Sequence, residues 1–109
     1  MIAFSSQTRL FLFGSPVDMR KNFEGLSALV QNAFPGELMH GYFIFLNRVR
    51  DRVKIMYWDG DGFALWYKRL ERGSFLPHKK GAAVIDRREL LLILEGVTPK
   101  KMQRRFSFK

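Results

Sequence analysis

The stretch that decides the fold is RVKIMYWDGDGFALWYKRLERGSF, at residues 52–75. Two runs rich in aromatic and β-branched residues flank the turn DGDG at residues 59–62. Because glycine adopts the positive φ that tight hairpin turns require, this pattern predicts a β-hairpin. Basic residues are interleaved with the aromatic ones. That composition suits a polyanion carrying stackable rings, and an aromatic core with a solvated charged face would also produce it.

Alternation along the first run sorts its side chains onto two faces of a strand. The face that we take as the candidate contact face carries Arg52, Lys54, Met56 and Trp58. The other face carries Val53, Ile55 and Tyr57. Which residues of 63–70 share the contact face depends on whether the turn carries a bulge, and the sequence leaves this open. For Trp58, both a stacking role and a core role remain open.

Periodicity predicts the elements that precede the hairpin. A first strand spans residues 8–13. Apolar residues at three- and four-residue spacing predict a helix over residues 18–34, with Asp18 at its N-cap. Residues 42–46 are apolar at every position, which predicts a central strand covered on both faces.

After the hairpin, residues 82–85 are predicted to form a short strand. Asp86 and Glu89 have capping-box spacing, which predicts a short helix over residues 87–94. The fold class is therefore α+β, in a single domain. We expect an antiparallel β-meander of about four to five strands with two packed helices.

Length and composition indicate one compact domain. The chain has 109 residues, of which 47% are hydrophobic, and we assign the domain to residues 1–98 and a basic tail to residues 99–109. Cysteine is absent, which excludes disulfides and thiolate metal sites. No apolar run is long enough to span a membrane, and the first residues do not resemble a secretory signal. The expectation is a cytoplasmic bacterial protein.

Charge is the strongest compositional signal. Lys and Arg number 19 against 10 Asp and Glu, a formal net charge of +9. DNA is a natural partner because each neutralised phosphate releases counterions, although an acidic protein or membrane surface would be attracted by the same field. The candidate nucleic-acid-binding residues are Arg20, Lys21, Arg48, Arg50, Arg52, Lys54, Trp58, Trp66, Lys68, Arg69, Arg72, Lys100, Lys101, Arg104 and Arg105.

Motifs for catalysis or metal binding are few. Asp59 and Asp61 open like a calcium loop, but Phe63 stands where an oxygen ligand is needed and Glu71 falls one position late. The two histidines are isolated, and no phosphate-cradling loop or nucleophile elbow is present. The sequence predicts a non-catalytic protein with no metal and no cofactor.

Several segments resemble one known family over about residues 9–96. They are DMRK at 18–21, FEGL at 23–26, RVKI at 52–55, YWDGDGF at 57–63, LWYKRLE at 65–71 and, more weakly, LLL at 90–92 with LEG at 94–96. Together they resemble the accessory protein, often called TnpB, encoded by the second open reading frame of insertion sequence 66 family elements. The resemblance implies an accessory factor for transposition that works with other transposition proteins of the same element.

Two alternatives come from other functional classes. The aromatic hairpin could serve as a protein interface that binds the transposase without DNA contact, with Trp, Tyr and Arg as anchors. A small nucleic-acid-acting enzyme is the second alternative. Binding DNA through phosphates, and hence joining the transposition nucleoprotein complex, is the interpretation that the charge favours.

Overall fold

The computed structural model of the chain describes residues 8–76 and 81–95. Within them, the elements in chain order are β1 (Leu10–Phe13), α1 (Phe23–Ala33), β2 (Tyr42–Leu46), β3 (Arg52–Trp58), β4 (Phe63–Arg69), β5 (Ala82–Ile85) and α2 (Arg87–Glu95). The strands form one sheet in the order β4-β3-β2-β1-β5. The predicted α+β class is confirmed. The predicted tail at residues 99–109 lies outside the described residues.

The sheet is mixed, which corrects the expectation of a wholly antiparallel meander. Strands β2, β3 and β4 form the predicted antiparallel meander, and β5 is antiparallel to β1. Strand β1, however, runs parallel to β2, with Leu10 opposite Tyr42 and Phe13 opposite Phe45. Parallel neighbours need a long crossover connection, and α1 lies in the segment that joins them.

One helix covers each face of the sheet. The α1 cluster comprises the buried residues Phe11, Phe13, Val17, Leu26, Val30, Phe43, Phe45 and Met56. The α2 cluster comprises Leu10, Leu12, Ile44, Leu46, Val53, Ile55, Leu70, Phe75, Ile85, Leu90 and Ile93. Residues 43–46 are at most 2% exposed and alternate between the two clusters. The prediction that β2 is covered on both faces is therefore confirmed.

Helix α1 begins at Phe23 with Asn22 as its N-cap, so the prediction that it starts at Asp18 is wrong. Asp18 Oδ1 accepts a hydrogen bond from the backbone N–H of Arg20 at 2.9 Å. A short acidic side chain that bonds the backbone two residues ahead stabilises a turn in place of a helix. The DMRK segment is therefore a loop between β1 and α1.

Helix α2 is capped as the sequence predicts. The N–H of Glu89 donates to Asp86 Oδ1 at 2.7 Å, and the N–H of Asp86 donates to Glu89 Oε1 at 3.2 Å. This reciprocal pair satisfies two backbone donors at the helix start. Leu90 and Ile93 then bring the buried side of the helix onto the sheet.

The β3–β4 hairpin pairs without a bulge, from Arg52 opposite Arg69 to Trp58 opposite Phe63. Because directly opposed residues of an antiparallel pair share a face, Tyr67 lies on the face of Lys54. The aromatic end of the hairpin and its arginine end are separated by six residues of strand. They therefore lie about 20 Å apart, at opposite ends of the sheet.

Candidate functional site

An open groove of about 670 Å³ lies at the arginine end of the sheet. It is lined by residues 16–20 of the β1–α1 loop, by residues 47–49 of the β2–β3 loop, and by Arg52 at the start of β3. Three of the predicted candidates, Arg20, Arg48 and Arg52, are among these lining residues. Segments distant in sequence thus converge on one cavity.

The β2–β3 loop is held by the side chain of Asn47. Its Nδ2 donates to Asp51 Oδ1 at 2.6 Å, and its Oδ1 accepts from the N–H of Arg52 at 3.0 Å. Arg50 adopts a left-handed conformation with φ of 56°, which costs a non-glycine residue about 1–2 kcal/mol. The loop therefore holds its arginines in a fixed turn at the expense of local strain.

The β1–α1 loop is held against the sheet by the side chain of Lys54. Its Nζ donates to the carbonyl oxygens of Met19 at 2.7 Å and Lys21 at 3.0 Å. The same Nζ lies 5.5 Å from the ring centroid of Tyr67, within cation–π range. Lys54 is only 7% exposed, so its charge is used inside the protein to fix the loop that carries Arg20.

The expectation that Arg52, Lys54, Met56 and Trp58 form an exposed contact face is therefore wrong for two of its members. Alternation assigned these residues to one face correctly. Helix α1 and the loop before it cover that face, burying Lys54 to 7% and Met56 to 0% exposure. Arg52 alone of the four lines the groove.

The arginines of this end have few internal partners. Within residues 8–76 and 81–95, Arg48 and Arg52 form no ion pair, and the Nε atoms of Arg50 and Arg52 are buried without a hydrogen-bond acceptor. Arg69 lies opposite Arg52 in the sheet and forms an exposed ion pair with Glu71 at 3.4 Å. Two guanidinium groups in the groove are thus available to an external anion.

The remaining candidates in the hairpin lie elsewhere. Trp58 packs edge-on against Phe63, with ring centroids 5.1 Å apart, at the far end of the sheet. Trp66 is half-buried and packs against the α2 cluster, so its position is explained by core packing. Lys68 is exposed opposite Val53, on the α2 side, and Arg72 is exposed after β4. Neither tryptophan lines the groove.

Lys21 lies in the β1–α1 loop with an exposed side chain, and its backbone carbonyl is one of the two acceptors of Lys54. The candidates Lys100, Lys101, Arg104 and Arg105 lie outside the described residues. Sequence reasoning missed the apolar lining of the groove, including Met19 and Val49. The available signal was Val49 itself, a valine set between two arginines in a short loop.

Asp18 and Arg20 form a bidentate pair inside the groove. Arg20 Nε donates to both carboxylate oxygens of Asp18 at 3.1 Å, and Arg20 Nη2 donates to Oδ2 at 2.7 Å. These side-chain hydrogen bonds, supported by the backbone bond from Arg20, lower the pKa of Asp18 from 3.8 to about 2. Asp18 therefore remains ionised through mild acid and holds Arg20 at the groove.

We expect Arg20→Ala to raise the pKa of Asp18 toward its ordinary value of 3.8. Because the folded-state pKa is the lower one, the pairing favours the folded state above pH 3.8. This contribution is lost as the pH falls toward about 2. Carboxyl ¹³C NMR titration measures the pKa directly, and Arg48→Ala is the matched control that should leave it low. A pKa that stays near 2 in Arg20→Ala would contradict the assignment.

The described residues contain neither a metal site nor a membrane-spanning helix. Within residues 8–76 and 81–95, no three His, Asp or Glu side chains come close enough together to hold a metal ion. No helix in the same residues is long and apolar enough to cross a membrane. The fold and the groove thus define a small basic α+β protein whose arginines converge at one end of a mixed sheet.

The chain belongs to the IS66 Orf2-like family, whose profile, described as IS66 Orf2 like protein, matches residues 8–104. This membership associates the chain with the transposition of IS66 insertion sequences. The chain is also similar to two proteins of Sinorhizobium fredii. Uncharacterized protein y4jC is 35% identical over 108 residues, covering 96% of this chain and 92% of the relative. Uncharacterized protein y4hO is 31% identical over 100 residues, covering 89% and 87%. No solved structure matches.

Proposed function

We propose that this protein is a non-catalytic accessory factor in IS66 transposition that binds DNA through its phosphates at the arginine end of the sheet. The observation that carries the proposal is the convergence on one open groove of Arg48 and Arg52, which form no ion pair within the described residues, beside Arg20, which is paired with Asp18. Arginine is the side chain best matched to phosphate, because its planar guanidinium donates several hydrogen bonds in a fixed geometry. The net charge of +9 supports the same partner.

Phosphate contacts predict a strong dependence of affinity on salt. If the protein contacts about five to eight phosphates, log affinity should fall with log salt at a slope of roughly −5 to −7. Fluorescence anisotropy with a labelled terminal-repeat duplex measures this slope. No binding at low salt, or a slope near zero, would refute the proposal.

A pair of double variants locates the contact. Replacing Arg48 and Arg52 together by Gln should weaken duplex binding and make the slope shallower by about 2 units, because two phosphate contacts are lost. Replacing Arg87 and Arg88 by Gln removes the same charge from the start of α2, at the opposite end of the sheet. This control should leave the slope unchanged. Equal losses in both variants would show that affinity follows total charge, and would contradict a contact located at the groove.

A second candidate function is recruitment of another transposition protein through the edge strand β4. In the described sheet β4 is an edge strand, and it exposes Tyr67 at 49% together with Lys68 and Arg69. Exposed sheet edges bind extended segments by strand addition, and aromatic and basic residues are common anchors at interfaces. Unchanged DNA affinity in the Arg48 and Arg52 variant, with loss of transposase pull-down on Tyr67→Ala, would favour this function.

A further inference from the structure

Resting on the proposed DNA-binding function, we infer that the groove takes a single unstacked nucleotide, so that the protein binds single-stranded DNA more tightly than duplex. A volume of about 670 Å³ lies within the range of about 300–1,000 Å³ typical of sites for small ligands. In a duplex the bases are stacked and present only their edges in the grooves. A duplex therefore offers this cavity phosphates and base edges but no base face, whereas a single strand offers the face of a base as well.

The walls of the groove differ in character. One part is cationic, from Arg48 and Arg52, and another is apolar, from Pro16, Met19 and Val49. A site that bound only phosphate would gain nothing from the apolar wall. A nucleotide has one charged phosphate and one flat aromatic base whose faces suit apolar contact, so it matches both walls at once.

Val49 is the specific observation behind the apolar contact. It is 65% exposed, although it sits in a short loop whose other residues are polar or charged. Single exposed aliphatic residues are common on protein surfaces. This one lines a cavity between arginines, and its loop is fixed by the Asn47 hydrogen bonds. A base placed there would contact the valine on one side and could stack on a guanidinium plane.

Arg52 supplies the second observation. Its Nε is buried and has no hydrogen-bond acceptor within the described residues, while its backbone is fixed in β3. A buried donor without a partner is unfavourable until an acceptor reaches it. No described residue therefore engages the Arg52 guanidinium, which lines the groove and is left to the phosphate or a base carbonyl of a nucleotide there.

The experiment compares a labelled single strand of about 12 nucleotides with a duplex of the same sequence. That length falls within the site sizes known for proteins that bind single strands. We expect the single strand to bind at least about fivefold more tightly. Val49→Ser should remove most of that preference and leave duplex affinity within about twofold, because an apolar contact carries no phosphate interaction. The slope of affinity against salt on the single strand should stay unchanged in Val49→Ser.

Val84→Ser is the matched control, since Val84 is 67% exposed on β5, away from the groove, and loses the same methyl groups. It should change neither affinity. Equal affinity for single strand and duplex, or equal losses on both in Val49→Ser, would overturn the nucleotide site. The phosphate-binding function would stand if the Arg48 and Arg52 variant still lost duplex affinity. Absence of DNA binding at low salt would overturn both.

Discussion

Lys54→Ala is expected to lower the free energy of unfolding by about 3–5 kcal/mol. The substitution deletes two hydrogen bonds from a cation, each worth about 1.5–3 kcal/mol, and leaves the carbonyls of Met19 and Lys21 without that donor. It also removes a buried methylene chain and the contact with Tyr67. Urea denaturation followed by circular dichroism measures the change.

Two further variants make this result specific to the buried ammonium. Lys68→Ala removes a lysine from the same hairpin whose side chain is exposed, so stability should change by no more than about 0.5 kcal/mol. Lys54→Met keeps most of the aliphatic chain and should lose about 2–3 kcal/mol, the share of the hydrogen bonds. Equal effects of Lys54→Ala and Lys68→Ala would contradict the structural role of Lys54.

This role explains why the sequence misplaced one of its candidates. Alternation along β3 is a local property, and it sorted Arg52, Lys54 and Met56 onto one face correctly. Whether that face meets solvent depends on what packs against it. The acceptor Met19 lies 35 residues away in sequence, so no local pattern could show that Lys54 is satisfied internally.

The difference between local patterns and tertiary contacts also explains which parts of the fold were predictable. The capping box of α2 was predictable because Asp86 and Glu89 satisfy each other within one turn. The start of α1 was not, since Asp18 is equally suited to an N-cap and to the turn that it forms with Arg20. The parallel pairing of β1 with β2 is a tertiary choice, made when α1 packs across the sheet and returns the chain in the same direction.

The groove was predictable in part: its residue types could be recognised from the sequence, but their convergence could not. Its arginines were recognisable as candidates because they are basic, but their sequence positions did not separate them from the other cations. Their convergence depends on two loops meeting at one end of the sheet, one fixed by Lys54 and the other by Asn47. These hydrogen bonds fix the backbone positions from which the arginine side chains project, and the proposed anion contact would then require less ordering of the chain.

Gly41→Ala is expected to destabilise the fold by about 3 kcal/mol. A Cβ built at Gly41 would lie 2.8 Å from Cδ2 of Phe11 and 2.9 Å from the backbone oxygen of Arg9. Phe11 cannot swing away, because its ring packs 4.6 Å from that of Phe34 and 5.0 Å from that of Phe43. The Arg9 oxygen is held as well, since it accepts the N–H of the residue after Gly41 at 2.9 Å. Either the aromatic stack or the first β1–β2 contact must shift.

Gly62→Ala is the matched control for this prediction. A Cβ at Gly62 would meet nothing within 4 Å, and Gly62 is not among the described glycines with positive φ. Its carbonyl would still accept the N–H of Asp59 across the hairpin turn, so stability should stay within about 0.5 kcal/mol of the wild type. Thermal and urea unfolding of both variants measure the contrast. If Gly41→Ala proved as stable as Gly62→Ala, the close approach of Gly41 to the Phe11 ring and to the Arg9 carbonyl would be refuted.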